Sequence, residues 1–161
     1  MPDLELKTDI FAPGHEKIIE YSGHHPSRLF KVIPPLIKNI FEITTSHFFE
    51  DKIKWDKSAE PIEFFGQWRG EDGKDGRTSV WVIVKVQGTQ SSKEKMGNAI
   101  ITIRGILQTK FPYTNVIDKS LVKTYSYLFY DKQRRYYIKE AKERFEVLEN
   151  EIKKELEIMG G

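Results

Sequence analysis

From Asn115 to Leu156 the chain contains neither Pro nor Gly and is built mostly from good helix formers. As one helix this stretch of roughly 40 residues would span about 60 Å at 1.5 Å per residue. A domain of 161 residues is narrower than that. The helix is therefore expected either to break near Tyr130-Asp131-Lys132 or to project at one end. Asn115 suits an N-cap, with Asp118 in the first turn. Ile138, Ala141, Phe145, Leu148, Ile152, Leu156 and Met159 step by three and four. That spacing makes an apolar stripe that must bury itself against a sheet or a partner helix.

The residues before it supply the sheet. Leu4, Leu6, Thr8 and Ile10 alternate with charged residues, the period of a half-buried edge strand. Lys17–Tyr21 reads as a second short strand. Pro26 opens a helical segment carrying Leu29, Phe30 and Ile33; Leu36, Ile37, Ile40 and Phe41 resume the spacing after Pro34-Pro35. Because Pro disfavours helix in the residue before it and donates no hydrogen bond, two short helices or one broken helix are expected. Four alternating strands follow. Phe49, Ile53 and Trp55 share one face; Ile62, Phe64, Gly66 and Trp68 the next; then come Val80–Val86 and Ala99–Phe111. Short polar turns between them favour an antiparallel meander. Gly66, Gly70, Gly73 and Gly76 read as bulge and turn glycines.

The expected class is α+β: a curved antiparallel sheet, two short helices after the first strands and a long C-terminal helix. The chain reads as a single domain, 1–161, with the sheet and short helices in 1–114 and the helix in 115–159. The strand Lys17–Tyr21, the helical pair Pro26–Phe41, the four strands Phe48–Phe111 and the helix from Asn115 carry a resemblance. Their order resembles the helix-grip fold of the START, Bet v 1 and polyketide-cyclase superfamily (SRPBCC). The resemblance implies a sheet that grips the last helix, with a hydrophobic ligand held between them.

Four groups of residues are candidates for function. Phe49, Trp55, Phe64 and Trp68 on the sheet, with Tyr125 and Phe129 on the helix, either fill the core or line a cavity. Asp51 shares the odd face of its strand. Turned inward it would need a partner and could act as an acid or base; a bulge would turn it to solvent. His15, His24, His25 and His47 lie around the helical pair without metal-ligand spacing. Lys132, Arg134, Arg135, Tyr136, Lys139 and Lys142 interleave cations with rings, as nucleic-acid contacts do, or form a solvated helix face.

Composition narrows the classes. There is no Cys, which removes thiol chemistry, disulfides and Cys-ligated metal. The 26 Lys+Arg against 24 Asp+Glu give a net charge of +2, so any polyanion-binding field must be local. The residues Met1–Glu5 do not read as a secretory signal, and no apolar run has the length of a membrane span. A cytoplasmic location is expected, and the Lys-, Glu- and Ile-rich profile is thermophile-like. No metal or cofactor is implied. The expected function is non-enzymatic binding of a small apolar or lipid-like ligand. The alternative is an interaction factor that binds RNA, a ribonucleoprotein or a protein through the C-terminal helix, a second copy of the chain included. A cyclase- or hydrolase-type enzyme is the third reading.

Overall fold

A computed structural model describes residues 3–112, 120, 121, 124 and 130–160. Six strands form one open antiparallel sheet: β1 (Asp3–Asp9), β2 (Lys17–His24), β3 (Phe48–Asp56), β4 (Ile62–Gly73), β5 (Thr78–Gln90) and β6 (Met96–Pro112). Helix α1 (Leu29–Ile40) follows a 3-10 turn at Pro26–Arg28, and α2 (Asp131–Gly160) ends the described chain. The class is α+β, as the strand and helix periods predict.

The meander runs β3-β4-β5-β6, and β6 is long enough, at 17 residues, to hold two partners end to end. β1 pairs with its C-terminal half and β2 with its N-terminal half. Period two then gives the sheet an inner and an outer face. Val80, Val82, Val84, Val86, Ile101, Ile103 and Leu107 lie inward and are fully buried. Helix α1 covers them with Leu29, Ile33 and Ile37, and α2 with Ala141, Phe145, Leu148 and Ile152. A sheet with helices on one side and a long last helix is compatible with a helix-grip fold.

Glycines on the inner face decide how closely the helices approach. A Cβ at Gly66 would lie 2.7 Å from the Phe30 ring, and one at Gly70 would lie 2.7 Å from Ile43 Cδ1. At Gly105 it would lie 2.5 Å from the Phe145 ring and 3.1 Å from Ile10. Gly66 and Gly70 are therefore mid-strand seats for side chains from the other layer, not the bulge and turn residues expected from the sequence.

Three other expectations change. Helix α1 runs through Pro34 and Pro35 instead of dividing there. Pro35 is exposed, on the side where water can take the carbonyl that it leaves unbonded, while the full burial of Leu29, Ile33 and Ile37 holds the opposite side. The face assigned to Phe49 is reversed, because the pairing of β3 with β4 shifts between Glu50 and Lys52. This bulge inserts Asp51 and changes the parity, so Trp55 and Ile53 point inward while Phe49 lies outward, opposite Arg69. The start of the last helix at Asn115, with Tyr125 and Phe129, lies outside the described residues.

The seat at Gly105 yields a stability prediction. Gly105→Ala should cost about 1–3 kcal/mol in urea unfolding, because Phe145 is buried and cannot retreat. Combined with Phe145→Leu, which frees the space, the cost should be smaller than the sum of the two single changes.

Candidate functional site

The inward aromatic residues pack on one another. Phe30 of α1 meets Trp55, Phe64 and Trp68 edge-on, with ring centroids 6.0, 5.5 and 5.7 Å away. Trp55 stacks on Phe64 at 5.8 Å. Trp68 is fully buried, and its indole N–H donates to Glu50 at 3.4 Å. Four rings spend their inner surfaces on each other, so this part of the interior is filled. Tyr125 and Phe129, the helical half of the expected lining, lie outside the described residues.

Asp51 is the bulge residue. Its carboxylate meets the Arg69 guanidinium at 3.2 Å and accepts from the Gln67 amide at 3.4 Å. It lies with the outer face and has no histidine partner among the described residues. His15 approaches Asp9 at 3.4 Å and His47 approaches Glu71 at 3.5 Å, both ending in solvent. His24 pairs in β2 with Met96, and His25 takes a left-handed backbone (φ 47°) that starts the 3-10 turn. Among the described residues no three His, Asp or Glu side chains come close enough to hold a metal ion. Asp51 and a histidine are thus not brought together as acid–base chemistry would require.

The basic stretch divides. Lys132, Arg135, Tyr136, Lys139 and Lys142 lie exposed along α2, Tyr136 at 59%. Arg135 spends part of its charge on Asp131, 2.8 Å away. Arg134 does not belong with them, since it is only 7% exposed. Its guanidinium reaches between β1 and β6, donating to Thr8 Oγ1 at 2.7 Å, to Thr109 Oγ1 and to the Leu6 carbonyl at 3.3 Å. Helical position explains the split: Arg134, Tyr137 and Ala141 share the stripe that faces the sheet.

Around Arg134 lies a polar cluster that the sequence reading missed. The Asp75 carboxylate, in the turn between β4 and β5, accepts from Tyr130, from Tyr137 at 3.0 Å and from the backbone N–H of Arg77 and Thr78. Thr78 shares hydroxyl bonds with Thr109 at 3.0 Å and Tyr130 at 2.8 Å. Beside it Lys74 bridges Asp72 and Glu140 at 2.8 and 3.0 Å. Arg144 donates to the Ile40 carbonyl at the end of α1, at 2.6 Å. The signal was present in the sequence: Thr8, Thr78 and Thr109 fall on inward positions, where a lone hydroxyl demands a partner.

The protonation states show what this cluster does. Burial pushes the Asp75 carboxyl up, but the hydrogen bonds from Tyr130, Arg77, Tyr137 and Thr78 outweigh it and hold the group below the usual carboxylate range. Burial, together with the bond to Asp75, pushes the Tyr130 hydroxyl up to about 12. Burial draws the Arg134 guanidinium down. Neither Asp75 nor Tyr130 is poised near neutrality, where acid–base catalysis works best. The cluster instead clasps the first turns of α2 to one end of the sheet.

Compared with protein-family models, with curated proteins and with solved structures, the chain matches none.

The clasp predicts pH effects of opposite sign. Asp75 contributes stability that is complete above its unfolded pKa of about 3.9 and is lost as pH falls below it. Asp75→Asn should therefore flatten the acid limb of a stability profile. Tyr130 contributes stability that is complete below about pH 10 and is lost as pH rises toward about 12. In urea titrations Tyr130→Phe should remove that alkaline loss and also shrink the acid limb without abolishing it, because Asp75 loses the bond from Tyr130 but keeps those from Tyr137, Arg77 and Thr78.

Proposed function

We propose that the chain is a non-enzymatic binding protein whose partner is a nucleic acid, engaged through exposed cations. The observation that carries this reading is the exposed row Lys132, Arg135, Tyr136, Lys139 and Lys142 on α2. Lys132, Lys139 and Lys142 have no ion pair among the described residues, so their charge remains available to phosphates. The described interior supports the same reading, because its rings, hydroxyls and Arg134 are already engaged with one another.

A second reading keeps the ligand of helix-grip proteins, a small apolar molecule between sheet and last helix. The place for it is an open groove of about 450 Å³ between the turn after β1 and α2, where Ile10, Phe11 and Ala12 give an apolar floor and Lys17, Lys142, Glu146, Glu149 and Asn150 line the rest. Native mass spectrometry of the purified chain, with displacement of a bound dye by lipids, tests it. A chain that carries no adduct and no displaceable dye would exclude it.

The nucleic-acid reading is tested by the salt dependence of RNA binding. Each phosphate contact contributes a slope of roughly −0.7 in log K against log salt for single strands. Lys139→Glu with Lys142→Glu should weaken binding by about tenfold or more and make the slope shallower by about 1.4. Arg134 must be left intact in such a test, since its loss would strip Thr8 and Thr109 of their donor and report folding instead of binding. Absence of RNA binding at low salt would overturn the proposal.

A further inference from the structure

No described element covers the outer face of the sheet, and the strand register sorts its side chains into rows. Three consecutive rows cross β3, β4, β5 and β6. They read Phe49, Arg69, Ile83, Arg104; then Lys52, Gln67, Lys85, Thr102; then Lys54, Phe65, Gln87, Ile100. None of these positions is a carboxylate, although Asp and Glu supply 24 residues of the chain. The acids lie around these positions, with Glu71 in the row on one side, Asp56 and Glu63 in the row on the other, and Glu20 of β2 at the end of the third row beside Ile100. The bulge places Asp51 here as well, and it is engaged with Arg69. Lys52, Lys54, Lys85 and Arg104 have no ion pair among the described residues.

Aromatic rings lie among these cations. Phe49 is 39% exposed, and Phe65 and Trp81 are half-buried. Arg69 lies over both Phe49 and Trp81, 4.9 and 5.1 Å from the ring centroids, and the Trp81 N–H is tied to Gln108 at 3.0 Å. Lys52 lies 5.6 Å over Phe65. The rings are thus held in place before any ligand arrives. A groove of about 420 Å³ runs beside them, lined by Lys52, Lys54, Phe65, Gln87, Asn98 and Ile100, and by the carboxylates of Asp56 and Glu63. The Gln87 and Asn98 amides can both donate to and accept from a base edge.

We propose that this outer face is a platform for single-stranded nucleic acid, stacking bases on Phe49, Phe65 and Trp81 and holding phosphates on Lys52, Lys54, Lys85 and Arg104. The proposal rests on the nucleic-acid reading of the chain and assigns single-strand selectivity to the sheet, leaving to α2 only a general electrostatic contribution. Stacking asks for a base with a free face, which a single strand presents and a duplex hides. A protein partner fits less well, because interface cores are depleted of Lys, and here unpaired lysines occupy the middle of the patch.

The test uses the full chain with a labelled oligouridine of about 12 nucleotides and an RNA duplex of the same length, at about 50 mM salt. The platform predicts tighter binding of the single strand and quenching of tryptophan fluorescence that Trp81→Phe removes. Lys85→Glu with Arg104→Glu should weaken single-strand binding by about tenfold or more and abolish its advantage over the duplex. Lys139→Glu with Lys142→Glu should weaken both ligands alike. Circular dichroism melting confirms that each variant is folded. Sheet variants that bind like the parent chain would overturn the platform and leave the α2 reading standing. Equal binding of duplex, single strand and heparin without quenching would reduce the face to an ion exchanger and also overturn it. No binding of either RNA by the parent chain would overturn both proposals.

Discussion

The fold depends on aromatic rings taking the space that glycine leaves open in the sheet. Phe145 of α2 occupies the place of a side chain at Gly105, in the middle of the longest strand, and Phe30 of α1 does the same at Gly66. In each case a strand gives up its own inward side chain, with the entropy and packing loss that glycine brings to a strand. The gain is a ring seated against backbone, with the close contact from which dispersion energy comes. Phe41 and Phe11 then meet Phe145 edge-on at 4.9 and 5.1 Å, so one ring on α2 links α1, the sheet and the turn after β1. A shift of α2 along the sheet would unseat Phe145 and expose the gap at Gly105 together. The helix is registered by shape, not only by the hydrophobicity of its stripe.

That apolar registration is completed by a polar one. Among the described residues the buried cation Arg134 bonds no carboxylate; two threonine hydroxyls and a backbone carbonyl accept its hydrogen bonds instead. Removing a charge from water is costly, and neutral acceptors repay it only when several are fixed at once. Here they are fixed because Thr8 and Thr109 belong to paired strands, and Thr109 is held in turn by Thr78. Asp75, in the turn between β4 and β5, gathers Tyr137 of α2 and Tyr130, the residue before it, onto the same end of the sheet. Opposite charges are thus stationed close together, each satisfied by hydroxyls. Such a cluster fixes position at the expense of reactivity, since Asp75 and Tyr130 are both held away from neutral pH.

The strands were legible because a half-buried sheet imposes period two on its sequence, and all six expected strands are present. Period alone could not reveal the bulge. Phe49, Ile53 and Trp55 keep their parity in the sequence, but one inserted residue, Asp51, breaks it in space. A polar residue in an otherwise apolar alternation was the visible trace of that bulge. The Pro34-Pro35 pair misled for the opposite reason: a local rule was overridden by burial on the far side of the helix, which no local window contains. Arg134 was grouped with its neighbours by charge, whereas helical geometry groups it with Tyr137 and Ala141. The clasp around it joins β1, the β4–β5 turn, β6 and α2, and contacts across such sequence separations leave little trace beyond inward threonines.

The two faces of the sheet are written by the same strands, one residue out of phase. Inward positions carry Val, Ile, Gly and aromatic residues that complete the core. Outward positions on β3 to β6 need satisfy no core, and solvation alone would accept Glu as readily as Lys. Yet on β3 to β6 carboxylates are absent from three consecutive outward rows and present only around them, at Glu71, Asp56, Glu63 and Glu20 of β2, and the one acid the bulge adds is paired with Arg69. Folding does not demand that segregation, and clustered cations oppose it through mutual repulsion. The exposed Phe49 and the half-buried Phe65 and Trp81 beside them likewise cost solvation that a polar residue would avoid. A surface that bears both costs in the same place is better explained by a ligand that offsets them together, with charge for the lysines and flat apolar faces for the rings. Such a ligand would lie outside the sheet, on the side that no described element covers.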